Sequence, residues 1–412
     1  MKIKELKIRN FRRIDNLHIL PDRQINVIIG ENGAGKSSLL DAIAYLLSWF
    51  TARIVNLKGN GNTIKSDDIS VTERDAEISV CLDPGNNTPE IAWNLYGSRN
   101  KLEKAGKTDL SELMNYVKSL LSLKDSNSIS SVPIVAYYRV NRSVTEIPLR
   151  VKKMEYGNIF EVYKTAFENK TGFRAFFSWY RNREDLENQR MRFENAGEDP
   201  QLSAVRRALS SFFPDYNDLH VRRNPMSMVL KKGDTLFNLN QLSDGEQCYL
   251  ALISDLSRKL VIANPESQDP LKGHGIVLLD EIELHLHPSW QKGVIDKLKE
   301  VFPNIQFFIT THSPLVVSNI NAEQLILMRE GERVYTSSLS FGKEVNDILI
   351  DFFNLSSPRG IEMERSIEEA KKALRSNNRE EYNRLMDKIK NQLPPSDKDV
   401  IAMTLEAYHL WK

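Results

Sequence analysis

Apolar and polar residues alternate through IKELKIRNF (3–11), the period-two pattern of a half-buried strand. INVIIG (25–30) is a continuous apolar run and predicts a strand buried on both faces, followed by an apolar-faced helix over SSLLDAIAYLLSWF (37–50). AEISVCL and EIAWNLY predict an antiparallel pair joined by the turn-rich DPGNNTP, and VPIVAYY (132–138) predicts another core strand. From about 155 to 216 the pattern becomes helical, with FRAFFSWY and the polar run RNREDLENQRMRFEN. Short strands return at 218–238, then the turn QLSDGEQ and a helix to about 262. GIVLLDE (275–281), a helix near 289–301, IQFFITTHSP (305–314) and LILMRE (325–330) form a β-α-β-β series. Beyond 360, Met363, Ile367, Ala370 and Leu374 share one helical face, and Tyr382, Leu385, Ile389 and Leu393 another. These stripes predict two or three helices packed onto the preceding domain, with docking of a partner helix as the alternative. The expected divisions are 1–154, a helical insertion at 155–217, 218–345, and a helical tail at 346–412.

Composition narrows the picture only a little. The chain has 412 residues, 41% of them apolar, and a net charge of +1, enough for a large core and uninformative about nucleic acid. Its two cysteines, Cys81 and Cys248, have no metal-ligand spacing, which predicts a reducing compartment. No run of about 18 apolar residues and no signal-peptide core stand out, so a cytoplasmic protein without a membrane span is expected.

Candidate chemistry lies at the ends of the buried strands. GENGAGKSS (30–38) fits G-x-x-x-x-G-K-[ST], with Gly30, Gly35, Lys36 and Ser37 in register. Here Asn32, Gly33, Ala34, Gly35, Lys36, Ser37 and Ser38 would line a phosphate loop. Glycines let backbone N–H groups converge on phosphate oxygens, and the following helix adds its dipole. Lys36 would reach the β- and γ-phosphates of ATP, and the Ser37 hydroxyl would hold Mg²⁺. In GIVLLDEIELHLHP (275–288), Asp280 ends an apolar strand where a carboxylate meets the Mg²⁺ shell, and Glu281 is placed to polarise a water. Glu283, His285 and His287 follow, without further ligands at metal spacing. His312, at the end of FFITTHSP (307–314), falls on the ligand side of a parallel sheet and would report the γ-phosphate. Ser243, Asp244, Gly245 and Glu246 open a helix and make an anion site, with Ser243 as the cap.

The order of strand, phosphate loop, long insertion, Ser-Asp-Gly-Glu turn, Asp-Glu strand and histidine resembles the ABC-type ATPases. Their signature Leu-Ser-Gly-Gly-Gln is met here by Leu242-Ser243-Asp244-Gly245-Glu246-Gln247, with Asp in place of the first Gly. MKIKELKIRNFRRIDNLHI, DEIELHLHP and THSP are similar to the RecF/SMC-like and OLD-type branch. The resemblance implies an α/β ABC-ATPase head with a mostly parallel central sheet, an antiparallel N-terminal subdomain, a helical insertion and a C-terminal helical extension. It also implies ATP sandwiched between two copies, in a homodimer or a higher even-numbered homo-oligomer, with Ser243–Glu246 facing the partner's nucleotide. PIVAYYRVNRSVTEIPLRV (133–151), the compact length and the helical tail resemble the ATPase subunits of Septu anti-phage systems, also found with some retrons. That family implies slow, regulatory turnover, a separate HNH nuclease subunit as partner, and an association with nucleic acid. A DNA-binding clamp of repair type, without a nuclease partner, is the alternative.

Three further points bear on these readings. The Q-loop glutamine that the resemblance implies is not evident in the sequence, and Tyr138, Arg139 or Arg142 stand in its place. The late Asp397-Lys398-Asp399 reads as a helix N-terminal acid cluster, not as part of a nuclease domain. Arg181, Arg183, Arg190, Arg192, Arg206, Arg207, Arg222 and Arg223 are interleaved with acids and read as a solvated helix face in preference to a DNA track.

Overall fold

A computed structural model describes residues 1–85, 88–100, 105–125, 131–140, 158–167, 172–335 and 339–411. The chain divides into two compact units, Met1–Val345 and Asn346–Lys412.

In the first unit, β1 (Lys2–Phe11) and β2 (Ile14–Ile19) join β4 (Asp75–Asp83) and β5 (Ile91–Ser98) in an antiparallel sheet of order β2-β1-β4-β5. β4 alternates buried and half-buried residues along its whole length, as a strand covered on one face must. The second sheet holds β3 (Ile25–Gly30), β6 (Ile134–Tyr138), β10 (Gly275–Leu279), β11 (Ile305–Thr310), β12 (Leu325–Arg329) and β13 (Glu332–Val334). Its order is β13-β12-β3-β11-β10-β6, parallel except for the β13 edge. Every residue of β3, β6, β10 and β11 is buried, which explains their unbroken apolar runs. Gln306 of β11 ties the two sheets together: its Oε1 accepts from the Ile3 N–H at 2.7 Å and its Nε2 donates to the Ile3 carbonyl at 3.0 Å.

Helices α1 (Lys36–Val55) and α2 (Ser111–Asp125) follow the first strands, and α3 (Phe173–Phe193) and α4 (Pro200–Phe212) make the insertion. Asp199 caps α4 ahead of Pro200, a well-fitted helix start. A three-stranded meander, β7 (Tyr216–Arg223), β8 (Met226–Lys232) and β9 (Thr235–Asn238), leads into α5 (Asp244–Ala263). Then come α6 (Pro288–Val301) and the short α7 (Pro314–Val317). The expected division at 217/218 falls inside β7, and the one at 154/155 lies outside the described residues.

One expectation about the surface is corrected. The insertion's arginines are not merely solvated. Glu184, Glu187 and Asp199 are buried, and Arg223, Arg206 and Arg183 reach them at 3.1, 2.8 and 3.2 Å. The interleaved acids turn inward and draw the guanidinium groups after them. One helix, α1, does have the length and apolarity of a membrane span, but 72% of that window is buried inside the protein and it begins at Lys36. It is the core helix of the head.

The second unit contains α8 (Val345–Phe353), α9 (Ile361–Arg375), α10 (Arg379–Lys390) and α11 (Lys398–Leu410). The two predicted stripes meet each other and α11 in a core of their own, containing Ile367, Leu374, Tyr382, Leu385, Ile389 and Met403. The expectation that the preceding domain buries these stripes is thereby corrected, because the tail consumes them itself. Asp397 caps α11, and Arg359 bridges Asp397 and Asp399, each at 2.8 Å.

A buried charge cluster anchors α5. Asp255 accepts from the Arg258 Nη2 at 2.8 Å, from Lys259 Nζ, and from the Tyr138 hydroxyl of β6 at 2.9 Å. Burial raises the Asp255 pKa, but Lys259 and Arg258 outweigh it and hold the carboxyl well below the usual range. Replacing Asp255 with Ala leaves two cations buried without their anion, a loss of about 3–5 kcal/mol. A large fall in the urea midpoint of the Asp255→Ala head is the expected result, and an unchanged midpoint would contradict this role.

Candidate active site

The phosphate-loop residues are delivered by β3 and received by α1. Gly35 caps α1 at φ +99°, the left-handed region that a side chain would strain. Asn32 and Gly33 are exposed, Ala34 and Gly35 are buried, Ser37 is exposed and Ser38 is half-buried. The Lys36 Nζ donates to the carbonyls of Gly30 and Glu31, each at 2.9 Å, so the ammonium lies folded over the loop. Burial lowers its pKa, while Glu281, Asp280 and Glu283 act to keep it charged. Arg13 Nη1 donates to the Gly33 carbonyl at 3.0 Å, bracing the crest of the loop.

The strand order then brings the other groups alongside. β11 lies between β3 and β10, so the residues after β10 and β11 emerge beside the loop. The Asp280 Oδ1 accepts from the Thr310 hydroxyl at 2.7 Å, and the Ser37 Oγ stands 3.4 Å away, a looser contact. Thr310 Oγ1 in turn accepts from the Glu281 N–H at 2.8 Å. Glu281 itself has φ +49°, an uncommon conformation for a residue with a side chain. A single hydroxyl therefore fixes both the Asp280 carboxylate and the turn that carries Glu281. His312 is half-buried, and its N–H donates to the Glu283 Oε1 at 2.5 Å. Burial lowers the His312 pKa below 6.5 and the charge of Lys36 adds to this, against the pull of Glu283, Glu281 and Asp280. The imidazole is therefore neutral at neutral pH.

Of the residues near the missing glutamine, Arg142 lies outside the described residues. Tyr138 turns to Asp255 on α5, while Arg139 Nη2 donates to the Asp41 Oδ1 of α1 at 2.9 Å. Asp41 also accepts from Arg12 Nη1 at 2.5 Å and the Tyr137 hydroxyl at 3.2 Å. Neighbouring residues of β6 thus hold helices on opposite faces of the sheet. A guanidinium has no lone pair for a cation, so Arg139 does not replace a metal-binding amide.

The Ser243 turn is a closed capping box. Ser243 Oγ accepts from the Glu246 N–H, and the Glu246 Oε2 accepts from the Ser243 N–H at 2.9 Å and hydroxyl at 2.7 Å. The other Glu246 oxygen accepts from the Tyr216 hydroxyl at 2.6 Å. Ser243 and Asp244 are exposed, whereas Gly245 is buried. A Cβ at Gly245 would lie 1.9 Å from the His285 carbonyl oxygen, so only glycine lets α5 approach the turn after β10. His287 caps α6 through its Nδ1, which accepts from the Ser289 N–H.

This geometry is that of a phosphate-loop nucleotide site beside an acidic strand end. The model for the RecF/RecN/SMC N terminal domain matches residues 2–335. The chain belongs to this family. As a member, it is an ABC-type ATPase head. Over 411 residues it is 28% identical to a retron Vc95 probable ATPase of Vibrio cholerae serotype O1 biovar El Tor, covering 87% of this chain and 80% of the relative. It is 24% identical to the Septu protein PtuA of Bacillus thuringiensis, over 96% of this chain and 95% of that one. A crystal structure of an Smc head bound to the C-winged helix domain of ScpA is 18% identical, covers 82% of this chain and 98% of its own, and has a TM-score of 0.47.

An ATPase of this family uses ATP, and Mg²⁺ suits the donor set: a hydroxyl and a carboxylate, both hard oxygen ligands, face each other at Ser37 and Asp280. Sequence reading had not found Thr310, Arg13, Asp41 or the bond from His312 to Glu283. The signals were present in the doubled threonine before His312 and the doubled arginine after Asn10-Phe11. Thr310→Val, which keeps shape and removes the hydroxyl, is expected to lower kcat about 10- to 100-fold by releasing Glu281 and Asp280. ATP binding should persist, as a filter-binding assay would show. With the His312 pKa depressed, the ring should not limit turnover from neutral pH down to about 6.5. Any loss attributable to the ring should begin only below that value, and should be missing from the profile of His312→Gln.

Proposed function

We propose that this chain is the ATP-driven regulatory subunit of an anti-phage defence complex, and that nucleotide-sandwiched head dimers control a partner HNH nuclease. The observation that carries this reading is likeness to retron ATPases over 87% and 81% of the chain and to PtuA over 96% of it. Slow turnover fits such a role, since the nucleotide serves as a state signal. In this reading the complex works in the cytoplasm and its nuclease acts on nucleic acid.

The chain's own groups divide the work. Asn32–Ser38 wrap the phosphates with backbone N–H groups, and Lys36 leaves its two carbonyl partners to meet the β- and γ-oxygens. Ser37 and Asp280 would hold Mg²⁺, which neutralises phosphate charge when bound. Glu281, aimed by Thr310, orients the attacking water and takes its proton. His312, neutral, donates a hydrogen bond toward the γ-phosphate. Ser243, Asp244 and Gly245 present a helix N-terminus to the nucleotide of a second copy. Support for this lies in the exposure of Ser243 and Asp244 at the start of α5. The Glu246 carboxylate is already engaged in that cap and with Tyr216, so its part is to hold the turn and not to touch phosphate.

Lys36→Ala should lose nucleotide binding, and Glu281→Gln should accumulate an ATP-bound dimer visible by light scattering. A monomeric Glu281→Gln chain in saturating ATP would contradict the sandwich. For the partnership, the tagged chain is recovered from its native host at low salt and its companions are identified by mass spectrometry. A small protein with an HNH motif is expected. Repeated recovery of the chain alone, with tight ATP-dependent binding to duplex DNA, would instead favour a repair-type clamp.

A further inference from the structure

His312 stands just beyond the point where the sheet stops supporting the chain. The last β11 residue, Thr310, is paired with Ile28, and the Thr311 N–H still reaches the Ile28 carbonyl at 3.2 Å. The His312 N–H has no such acceptor in the sheet, and the Glu283 Oε1 takes it at 2.5 Å. Glu283 belongs to the turn after β10, which is pinned to β11 by the bonds of Thr310 to Asp280 and Glu281 and by the Ile282 N–H to the Thr310 carbonyl at 3.2 Å. The second carboxylate oxygen, Oε2, is buried and meets no hydrogen-bond donor among the described residues. The same carboxylate acts on the charges of both Lys36 and His312.

We propose that Glu283 is a positioning residue for hydrolysis: its carboxylate holds the His312 backbone so that the imidazole meets the γ-phosphate. The turn that aims Glu281 and the loop that carries His312 are then one unit, joined at Glu283 and Thr310. A shift of either on nucleotide binding moves the other. This inference rests on the reading of His312 as the residue that contacts the γ-phosphate.

Two conservative variants separate reach from charge. Glu283→Gln keeps a carbonyl oxygen at the same reach and loses the charge. Glu283→Asp keeps the charge and falls short of the His312 N–H. Steady-state ATPase assays on the full chain should show kcat for Glu283→Gln within about threefold of wild type. Glu283→Asp should lose about tenfold or more, with KM for ATP changed by less than about twofold. In a His312→Ala background, Glu283→Asp should change kcat by less than about twofold, because the residue acts through His312. Equal losses in the Gln and Asp variants, or a full additional loss in the His312→Ala background, would overturn the proposal. Wild-type turnover by His312→Ala alone would remove the reading of His312 on which it stands.

Discussion

The hydrogen bond from Thr310 to Asp280, 2.7 Å across two adjacent parallel strands, is the contact on which the site depends. A hydrogen bond to an ionised group contributes about 1.5–3 kcal/mol, and this one is buried among strands with no exposed residue. Its placement follows from the strand order β3-β11-β10. Because the central strand ends in a hydroxyl, the carboxylate of one neighbour is turned toward the Ser37 of the other. The same oxygen accepts from the Glu281 N–H and so stabilises a left-handed turn that would otherwise be strained. Lys36, Asp280, Glu281, Glu283 and His312 then share one electrostatic environment, in which burial and then the charge of Lys36 lower the imidazole pKa, and burial lowers that of Lys36 against the pull of three carboxylates.

The second half of the arrangement is carried by α5. Its N-terminus is closed by a reciprocal cap between Ser243 and Glu246, and its body is fixed by Asp255, Arg258 and Lys259 against Tyr138. Tyr137, one residue earlier on β6, reaches Asp41 of α1 instead. The period-two alternation of a strand thus lets one short segment brace the phosphate-loop helix on one face and the signature helix on the other. Contact of Gly245 with the His285 carbonyl adds a third link, from the signature turn to the segment following Glu281. A helix so seated has its N-terminus held in place, as the proposed contact with a second copy's nucleotide requires.

Much of this was legible in the residues because the relevant signals are local. The phosphate loop, the apolar run before Asp280 and the Ser-x-x-Glu cap each specify their structure within a few positions, and β3 was read to its last residue. Helix α2 went unread although Leu113, Tyr116, Val117 and Leu120 recur at helical spacing and Asp109 stands before it, its Oδ1 accepting from the Ser111 N–H at 2.9 Å. The roles of Thr310 and Glu283 were not legible for a different reason: both act across strand neighbours 29 residues apart in sequence, and only the sheet order brings them into contact. The insertion's arginines were misread because alternating charge looks alike whether its acids face water or, as with Glu184 and Glu187, the interior. In the tail, amphipathic stripes announced a buried face without saying what buries it, and the answer was the other tail helices.

The central claim is that each nucleotide site is completed by a second copy, and mixing two inactive chains tests it most directly. Lys36→Ala spoils a chain's own phosphate loop, and Ser243→Arg spoils what it lends to its partner. A mixed dimer of the two retains one intact composite site. With free exchange and independent sites, an equal mixture should recover about a quarter of wild-type ATPase activity, although neither chain turns over alone. A mixture as inactive as its components, with mixed dimers demonstrably formed, would contradict the account.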